Sequence, residues 1–129
     1  MSQARRQTGQ QGEAVAAAHL GEQGYRIIDR NYRCRFGEID LIALEGEILA
    51  FIEVKCRRSD AFGPPESAVG PAKQKKLSLC ALHYLSETGR QSPARFDVVA
   101  VRLRPDGHCV ELIRNAFELR CAYTPGLCP

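Results

Sequence analysis

Two neighbouring apolar segments of this chain, residues 37–43 and 48–56, carry charged side chains that a buried strand rarely holds. Apolar and β-branched residues dominate both segments, and the turn signal Glu45-Gly46 lies between them, which is the pattern of two buried strands. Acidic and lysine side chains are almost never fully buried unless they are paired or bind a metal. The fold of this chain must therefore supply partners for Glu38, Asp40, Glu53 and Lys55.

Length and composition predict one soluble domain. The chain has 129 residues, of which 44% are hydrophobic and 26% charged, as in ordinary globular proteins. No apolar run approaches the roughly 18 residues of a membrane span, and the N-terminus lacks the layout of a signal peptide. We therefore expect a cytoplasmic protein without a membrane partner. Its six cysteines show no C-x-x-C or zinc-type Cys/His spacing, which favours free thiols.

Basic residues are concentrated locally, although the net charge is only +3. Six arginines face three acids in residues 1–35, and six lysines and arginines face two acids in residues 55–76. Such clusters can contact phosphates, and an ordinary solvated surface is the alternative. The candidate phosphate contacts are Arg33, Arg35, Arg57, Arg58, Lys73, Lys75 and Lys76.

Periodicity and turn signals predict the order α-β-β-β-α-β-β. A capping box at residues 8–11 starts the first helix, which ends near Gln23, and Pro71 and Gly89 bound the second. The expected strands are residues 25–34, 38–44, 47–57, 95–103 and 108–114. The second helix makes a crossover between parallel strands, so we expect an α/β fold with a mixed central sheet flanked by helices. Residues 1–8 would form a mobile basic arm, residues 9–115 the domain and residues 116–129 a tail.

The hairpin between the second and third strands decides which charged groups meet. A two-residue loop at 45–46 would place Asp40 opposite Phe51 and Glu38 opposite Glu53. Residues opposite each other, and residues two apart, share a face of the sheet. Asp40 and Glu53 would then be diagonal neighbours about 7–8 Å apart at the backbone, and a bulge would scatter the set. In this register one face carries Glu38, Asp40, Glu53 and Lys55.

This grouping has the chemistry of a magnesium site. Mg²⁺ prefers oxygen ligands and takes few of them from protein, and Asp40, Glu53 and the Val54 carbonyl can supply that share. Lys55 could orient a water or steady negative charge, and Glu13 of the first helix could be a further ligand or hold a metal-bound water. The alternatives are an ion pair of Lys55 with Asp40 or Glu53, and a Glu13 that complements the helix dipole.

Several short motifs resemble the YraN-like family of small bacterial proteins, over about residues 9–115. They are Gly12-Glu13, Gly24-Tyr25, Asn31-Tyr32-Arg33, residues 37–42, residues 51–55 and residues 95–98. That family is usually placed with the PD-(D/E)XK endonucleases, near Holliday-junction resolvases. The resemblance implies a restriction-endonuclease-like fold with an α-β-β-β-α-β core. It also implies metal ligands at Asp40 and Glu53, a catalytic Lys55 and an accessory acid at Glu13.

The expected function is therefore Mg²⁺-dependent hydrolysis of DNA phosphodiester bonds, with branched, junction-like DNA as a candidate substrate and Mn²⁺ as an alternative metal. A homodimer is a further expectation, because a four-way junction presents two symmetric strands to cut. The main alternative is a nucleic-acid-binding module that keeps the fold without cleaving. A third class, a protein-interaction domain that uses the sheet face, predicts no DNA binding at low salt.

Overall fold

Two helices and five strands make up the part of the chain that the computed structural model describes, residues 3–58 and 69–119, with side chains from residue 9 onward. The predicted order of elements is confirmed. The elements are α1 (Gln3–Glu22), β1 (Tyr25–Cys34), β2 (Gly37–Glu45), β3 (Ile48–Arg57), α2 (Pro71–Thr88), β4 (Ala94–Arg104) and β5 (Gly107–Phe117).

The five strands form one mixed sheet in the order β1-β2-β3-β4-β5. Neighbouring strands joined by tight turns pair antiparallel, as such turns require. β3 and β4 pair parallel, because α2 lies between them in the chain and carries it back across the sheet. The α/β fold with a mixed central sheet is thus confirmed.

The two helices pack on opposite faces of the sheet. Ala16 and Leu20 of α1 join one buried cluster with Ala50 and Ile52 of β3. Alternate residues of the same strand, Leu49 and Phe51, belong to a second cluster that contains Leu77, Cys80, Ala81 and Tyr84 of α2. β3 is therefore covered on both sides, which explains its nearly continuous apolar sequence.

The β2–β3 hairpin turns at Gly46-Glu47, one residue later than predicted, and its ladder runs from Glu45↔Ile48 to Leu41↔Ile52. Asp40 therefore does not oppose Phe51, whose partner is Ile42, and that part of the prediction was wrong. The register differs from the predicted one by two residues. An even shift preserves the face of each residue where a strand alternates regularly. β2 does not alternate throughout, because Ile39 and Ile42 both belong to the cluster that contains α2, so a common face for Glu38 and Asp40 does not follow.

The backbone of Gly46 explains the difference. Gly46 has φ +61°, whereas Glu47 has no positive φ. A two-residue hairpin with positive φ at its first loop residue is a type II′ turn, which favours glycine at that position. The sequence prediction had placed the glycine second.

The two chain ends of the domain also differ from expectation. α1 begins at Gln3, before the predicted capping box at residues 8–11, so the predicted arm is helical from residue 3. β5 continues to Phe117 and takes in the start of the predicted tail. Residues 59–68 and the tail cysteines Cys121 and Cys128 lie outside the described residues. None of the described helices is long and apolar enough to cross a lipid bilayer.

Candidate metal centre

The acidic residues meet where β2 begins and β3 ends. The backbone ladder between these strands stops at Leu41 and Ile52. One residue further, the Asp40 carboxylate accepts a hydrogen bond from the Val54 N–H at 2.8 Å. The side chains of Asp40 and Glu53 are also hydrogen-bonded to each other. The predicted pair is therefore in direct side-chain contact.

Glu53 is the most deeply buried acid of the site. Its residue is only 6% exposed, because it sits on the α2-facing side of β3. Its Oε2 atom makes no hydrogen bond. Lys73 Nζ of α2 lies 3.2 Å from that oxygen, which is an ion-pair distance without hydrogen-bond alignment. A buried carboxylate oxygen without a hydrogen bond destabilises the folded protein unless a cation is near it.

The negative charge of either carboxylate disfavours ionisation of the other. Burial, followed by the hydrogen bond with Glu53 and the negative charge of Glu53, raises the pKa of Asp40 to about 8, although the Val54 N–H and Lys73 act in the opposite direction. Two adjacent carboxylates do not both ionise easily, because their negative charges repel, and they therefore share one proton. The pair is thus short of positive charge, which is the electrostatic condition for binding a divalent cation.

Glu13 reaches the site from α1, on the opposite face of the sheet. The helix comes close to β3 because Gly12 has no side chain: a Cβ there would lie 2.6 Å from the Cys56 Cβ. Partial burial and the charges of Asp40 and Glu38 raise the pKa of Glu13. Glu13 therefore lies within the electrostatic reach of Asp40 and Glu38.

Asn31 links two of the acids. Its side-chain amide, with the nitrogen turned toward the acids, lies 3.2 Å from Glu13 Oε1 and 2.9 Å from Glu38 Oε1. Asn31 has φ +52°, a conformation that asparagine tolerates better than most residues. Arg33 Nε lies 3.5 Å from Glu38 Oε2, so Glu38 also has an arginine partner.

Lys55 lies two residues beyond Glu53 on β3 and is half-buried, so both side chains belong to the same face of the sheet. Among the other basic candidates, Lys73 and Arg33 contact acids of the site. Arg35 lies over the Phe36 ring at 4.7 Å. The remaining candidates lie near site residues in the sequence. Arg57 and Arg58 follow Lys55, and Lys75 and Lys76 belong to α2.

Two members of the cluster were missed from the sequence. Asn31 was noted only as part of a motif, and its bridging role depends on a left-handed backbone that sequence does not reveal. Lys73 was taken as a phosphate contact, whereas it pairs with Glu53. The available signal was its place at the start of the buried stripe of α2, ahead of Leu77 and Cys80.

The donor set fits a hard cation that needs few protein ligands. Among residues with described side chains, no three His, Cys, Asp or Glu lie close enough together to hold a metal. Asp40 and Glu53 are in contact, and the Glu53 Oε2 atom lacks a hydrogen bond. With the Val54 carbonyl these oxygens match Mg²⁺, which keeps several waters. Glu13 as a direct ligand stays a prediction.

Comparisons with known proteins place this chain in a family. The model of "Uncharacterised protein family UPF0102" matches residues 12–101. The UPF0102 protein of Syntrophus aciditrophicus is 58% identical over 113 residues, 87% of this chain and 89% of the relative. That of Geobacter sulfurreducens is 50% identical over 113 residues, 86% and 88% of the two chains. That of Symbiobacterium thermophilum is 51% identical over 115 residues, 88% and 98%. The chain therefore belongs to the UPF0102 family, the YraN-like group that its motifs resemble.

Proposed function

We propose that this protein is a Mg²⁺-dependent endonuclease that hydrolyses DNA phosphodiester bonds, with Mn²⁺ as an alternative metal. The observation that carries the proposal is the Asp40–Glu53 pair, with a buried oxygen that makes no hydrogen bond. The spacing of Asp40, Glu53 and Lys55 on two paired strands supports a place in the PD-(D/E)XK nuclease superfamily, with a restriction-endonuclease-like fold. The element order α-β-β-β-α-β agrees with that placement.

Each side chain has a distinct task in this proposal. Asp40, Glu53 and the Val54 carbonyl would hold the cation, which when bound supplies a Lewis acid for a phosphoryl oxygen and lowers the pKa of a water. Lys55, on the same face as Glu53, orients the attacking water or stabilises the negative charge that develops on the phosphate. Glu13 approaches from α1 as the accessory acid.

The proposed substrate is DNA, with branched, junction-like DNA as the first form to examine. Arginines and lysines flank the acid pair on both sides in the sequence, from Arg33 and Arg35 to Lys75 and Lys76. Contacts between such groups and phosphates release counterions, so binding should weaken steeply with salt. A cytoplasmic location and a homodimer, which would place two sites on a symmetric junction, are parts of the same proposal.

A cleavage assay tests the function. Purified protein is incubated with four-way junctions, flaps, single strands and duplexes while Mg²⁺ or Mn²⁺ is titrated. We expect metal-dependent cleavage that Asp40→Asn, Glu53→Gln and Lys55→Met each reduce by about 10²-fold or more, the scale for loss of one transition-state group. Glu47→Gln, at an exposed acid of the hairpin turn, is the matched control and should cut at the wild-type rate.

Three results would count against this proposal. If no substrate is cut with either metal while DNA is bound, the protein is a binding module with this fold. If DNA is not bound at low salt, a protein-interaction domain becomes the better reading. Cleavage that survives Asp40→Asn would assign the activity to a contaminant or to another site.

A further inference from the structure

A lysine from α2 is part of the acid cluster, although it is remote from it in sequence. Lys73 belongs to the first turn of α2, on the side of the helix that also bears the buried residues Leu77 and Cys80. Its Nζ atom lies 3.2 Å from Glu53 Oε2. The ammonium therefore stands beside the carboxylate oxygen that makes no hydrogen bond.

The two partners of this ion pair differ in freedom to move. The Lys73 side chain is 46% exposed, whereas that of Glu53 is 7% exposed. The backbone around Lys73 is held in place, because the Gln74 side chain donates to the Val69 carbonyl at 2.8 Å and the Gln74 N–H donates to the Gly70 carbonyl at 2.9 Å. The ammonium can thus leave Glu53 by side-chain rotation alone, while the carboxylate stays.

A divalent cation and the Lys73 ammonium would compete for the same oxygen. A metal bound by Glu53 through Oε2 would lie within a few ångströms of the ammonium, and like charges at that distance repel. Hard-cation ligation also takes up the lone pairs that face Lys73. One charge must leave, and the lysine is the one attached to a mobile, half-exposed chain.

We propose that Lys73 is a built-in counter-cation that neutralises the acid pair in the metal-free protein and is displaced when the metal binds. This inference rests on the metal site of the proposed function and adds a regulating residue to it. The metal-free fold is stabilised by Lys73, and metal affinity is lowered by the same interaction. After displacement the ammonium lies at the rim of the site, where a substrate phosphate can take the place of Glu53 as its partner.

Metal binding by Lys73→Met tests the inference without any reliance on cleavage. Methionine keeps an unbranched apolar chain and removes the charge. We expect Mn²⁺ affinity, measured by titration calorimetry without DNA, to rise about three- to ten-fold, the range for a partly buried ion pair. Lys73→Arg, which keeps the charge, should bind Mn²⁺ within about two-fold of wild type. Arg90→Met, at an exposed arginine just after α2, is the matched control and should leave the affinity unchanged.

Thermal unfolding provides a second test of the inference. Without metal, Lys73→Met should unfold at a lower temperature than wild type and Arg90→Met. Saturating Mn²⁺ should shrink or remove the difference between Lys73→Met and wild type, because the metal then neutralises the carboxylates in both.

The outcomes separate this inference from the proposed function. Unchanged or weaker Mn²⁺ binding by Lys73→Met would overturn the counter-cation role and leave the metal site intact. Mn²⁺ binding that follows the expected pattern without cleavage of any DNA would support Lys73 and defeat the nuclease. Failure of the wild-type protein to bind Mn²⁺ would overturn both.

Discussion

At the scale of single residues, the site is defined by the repulsion between two carboxylates that the fold brings together. Asp40 and Glu53 are thirteen residues apart in the chain and are hydrogen-bonded to each other in the structure. Buried groups of one sign are a cost to the folded state, and such costs are typical of functional sites. The arrangement is better explained by a cation that binds there than by a contribution to stability.

The acid pair should make the stability of the metal-free protein fall as pH rises. Burial and Glu53 raise the pKa of Asp40 from 3.8 to about 8. Between those values the folded protein keeps a proton that the unfolded chain has lost, so the free energy of unfolding decreases with pH. We expect urea denaturation in the presence of a chelator to show this decrease between pH 5 and pH 8.

Asp40→Asn removes the titrating group and should flatten most of that decrease. A residual slope of the same sign should remain, because the pKa of Glu13 is raised as well. Mg²⁺ affinity of the wild-type protein should rise over the same interval, since carboxylate ligands must be deprotonated. A free energy of unfolding that increases from pH 5 to pH 8, and does so less in Asp40→Asn, would contradict the raised pKa.

At the scale of elements, α1 delivers Glu13 through a close helix–strand approach at Gly12. A Cβ at this position would lie 2.6 Å from the Cys56 Cβ and 2.8 Å from its Sγ, distances that real side chains do not show. We expect Gly12→Ala to lower the free energy of unfolding by about 1–3 kcal/mol, the usual cost of overpacking. Guanidinium denaturation measures this change.

Another glycine of α1 provides the matched control. A Cβ at Gly9 would meet nothing within 4 Å, so Gly9→Ala should stabilise the helix by about 0.5–1 kcal/mol. Opposite effects of the same substitution in one helix would separate packing from helix propensity. Equal stabilisation by both variants would show that α1 does not need the close contact with Cys56.

The elements themselves were largely predictable, and their exceptions have physical causes. β1 and α2 follow their sequence signals to the residue: Pro71 begins α2, and Gly89 ends it with φ +70° and an N–H that donates to the Leu85 carbonyl. The start of α1 was wrong because residues 3–7 are mostly good helix formers, and a capping box marks only one place where a helix can begin. The hairpin loop was wrong because one glycine fits two turn types.

The site was predictable only as far as strand geometry reaches. Alternation along β3 is enough to place Glu53 and Lys55 on one side, whereas the side on which Asp40 lies depends on the loop, since a one-residue change of register would reverse it. The contribution of α2 is different, because the ion pair of Lys73 with Glu53 depends on how the helix docks after the crossover. No local pattern encodes the position and rotation of a helix over a sheet.

At the scale of the whole molecule, a second polar cluster joins the strands on the other face of the sheet. Asp97 of β4 is fully buried. It accepts hydrogen bonds from the Tyr25 hydroxyl at 2.7 Å, from Arg95 Nε at 3.0 Å and from the Asn115 N–H at 2.9 Å. Arg95 and Arg114 both bind Glu45 and lower its pKa to about 2. The cluster thus links β4 to β1, β2 and β5.

This cluster should stabilise the fold without taking part in the chemistry. Asp97→Ala leaves buried donors of Tyr25 and Arg95 unsatisfied, so we expect a loss of about 3–5 kcal/mol in the free energy of unfolding. Arg114→Ala removes a more exposed partner of Glu45 and should cost less than about 1 kcal/mol. Below its unfolding temperature, Asp97→Ala should bind Mn²⁺ as tightly as wild type, because Asp97 and Glu53 lie on opposite faces of the sheet. An Asp97→Ala protein that folds stably yet fails to bind Mn²⁺ would show instead that the two faces of the sheet are coupled through β3, which carries Glu53 and pairs with the strand of Asp97.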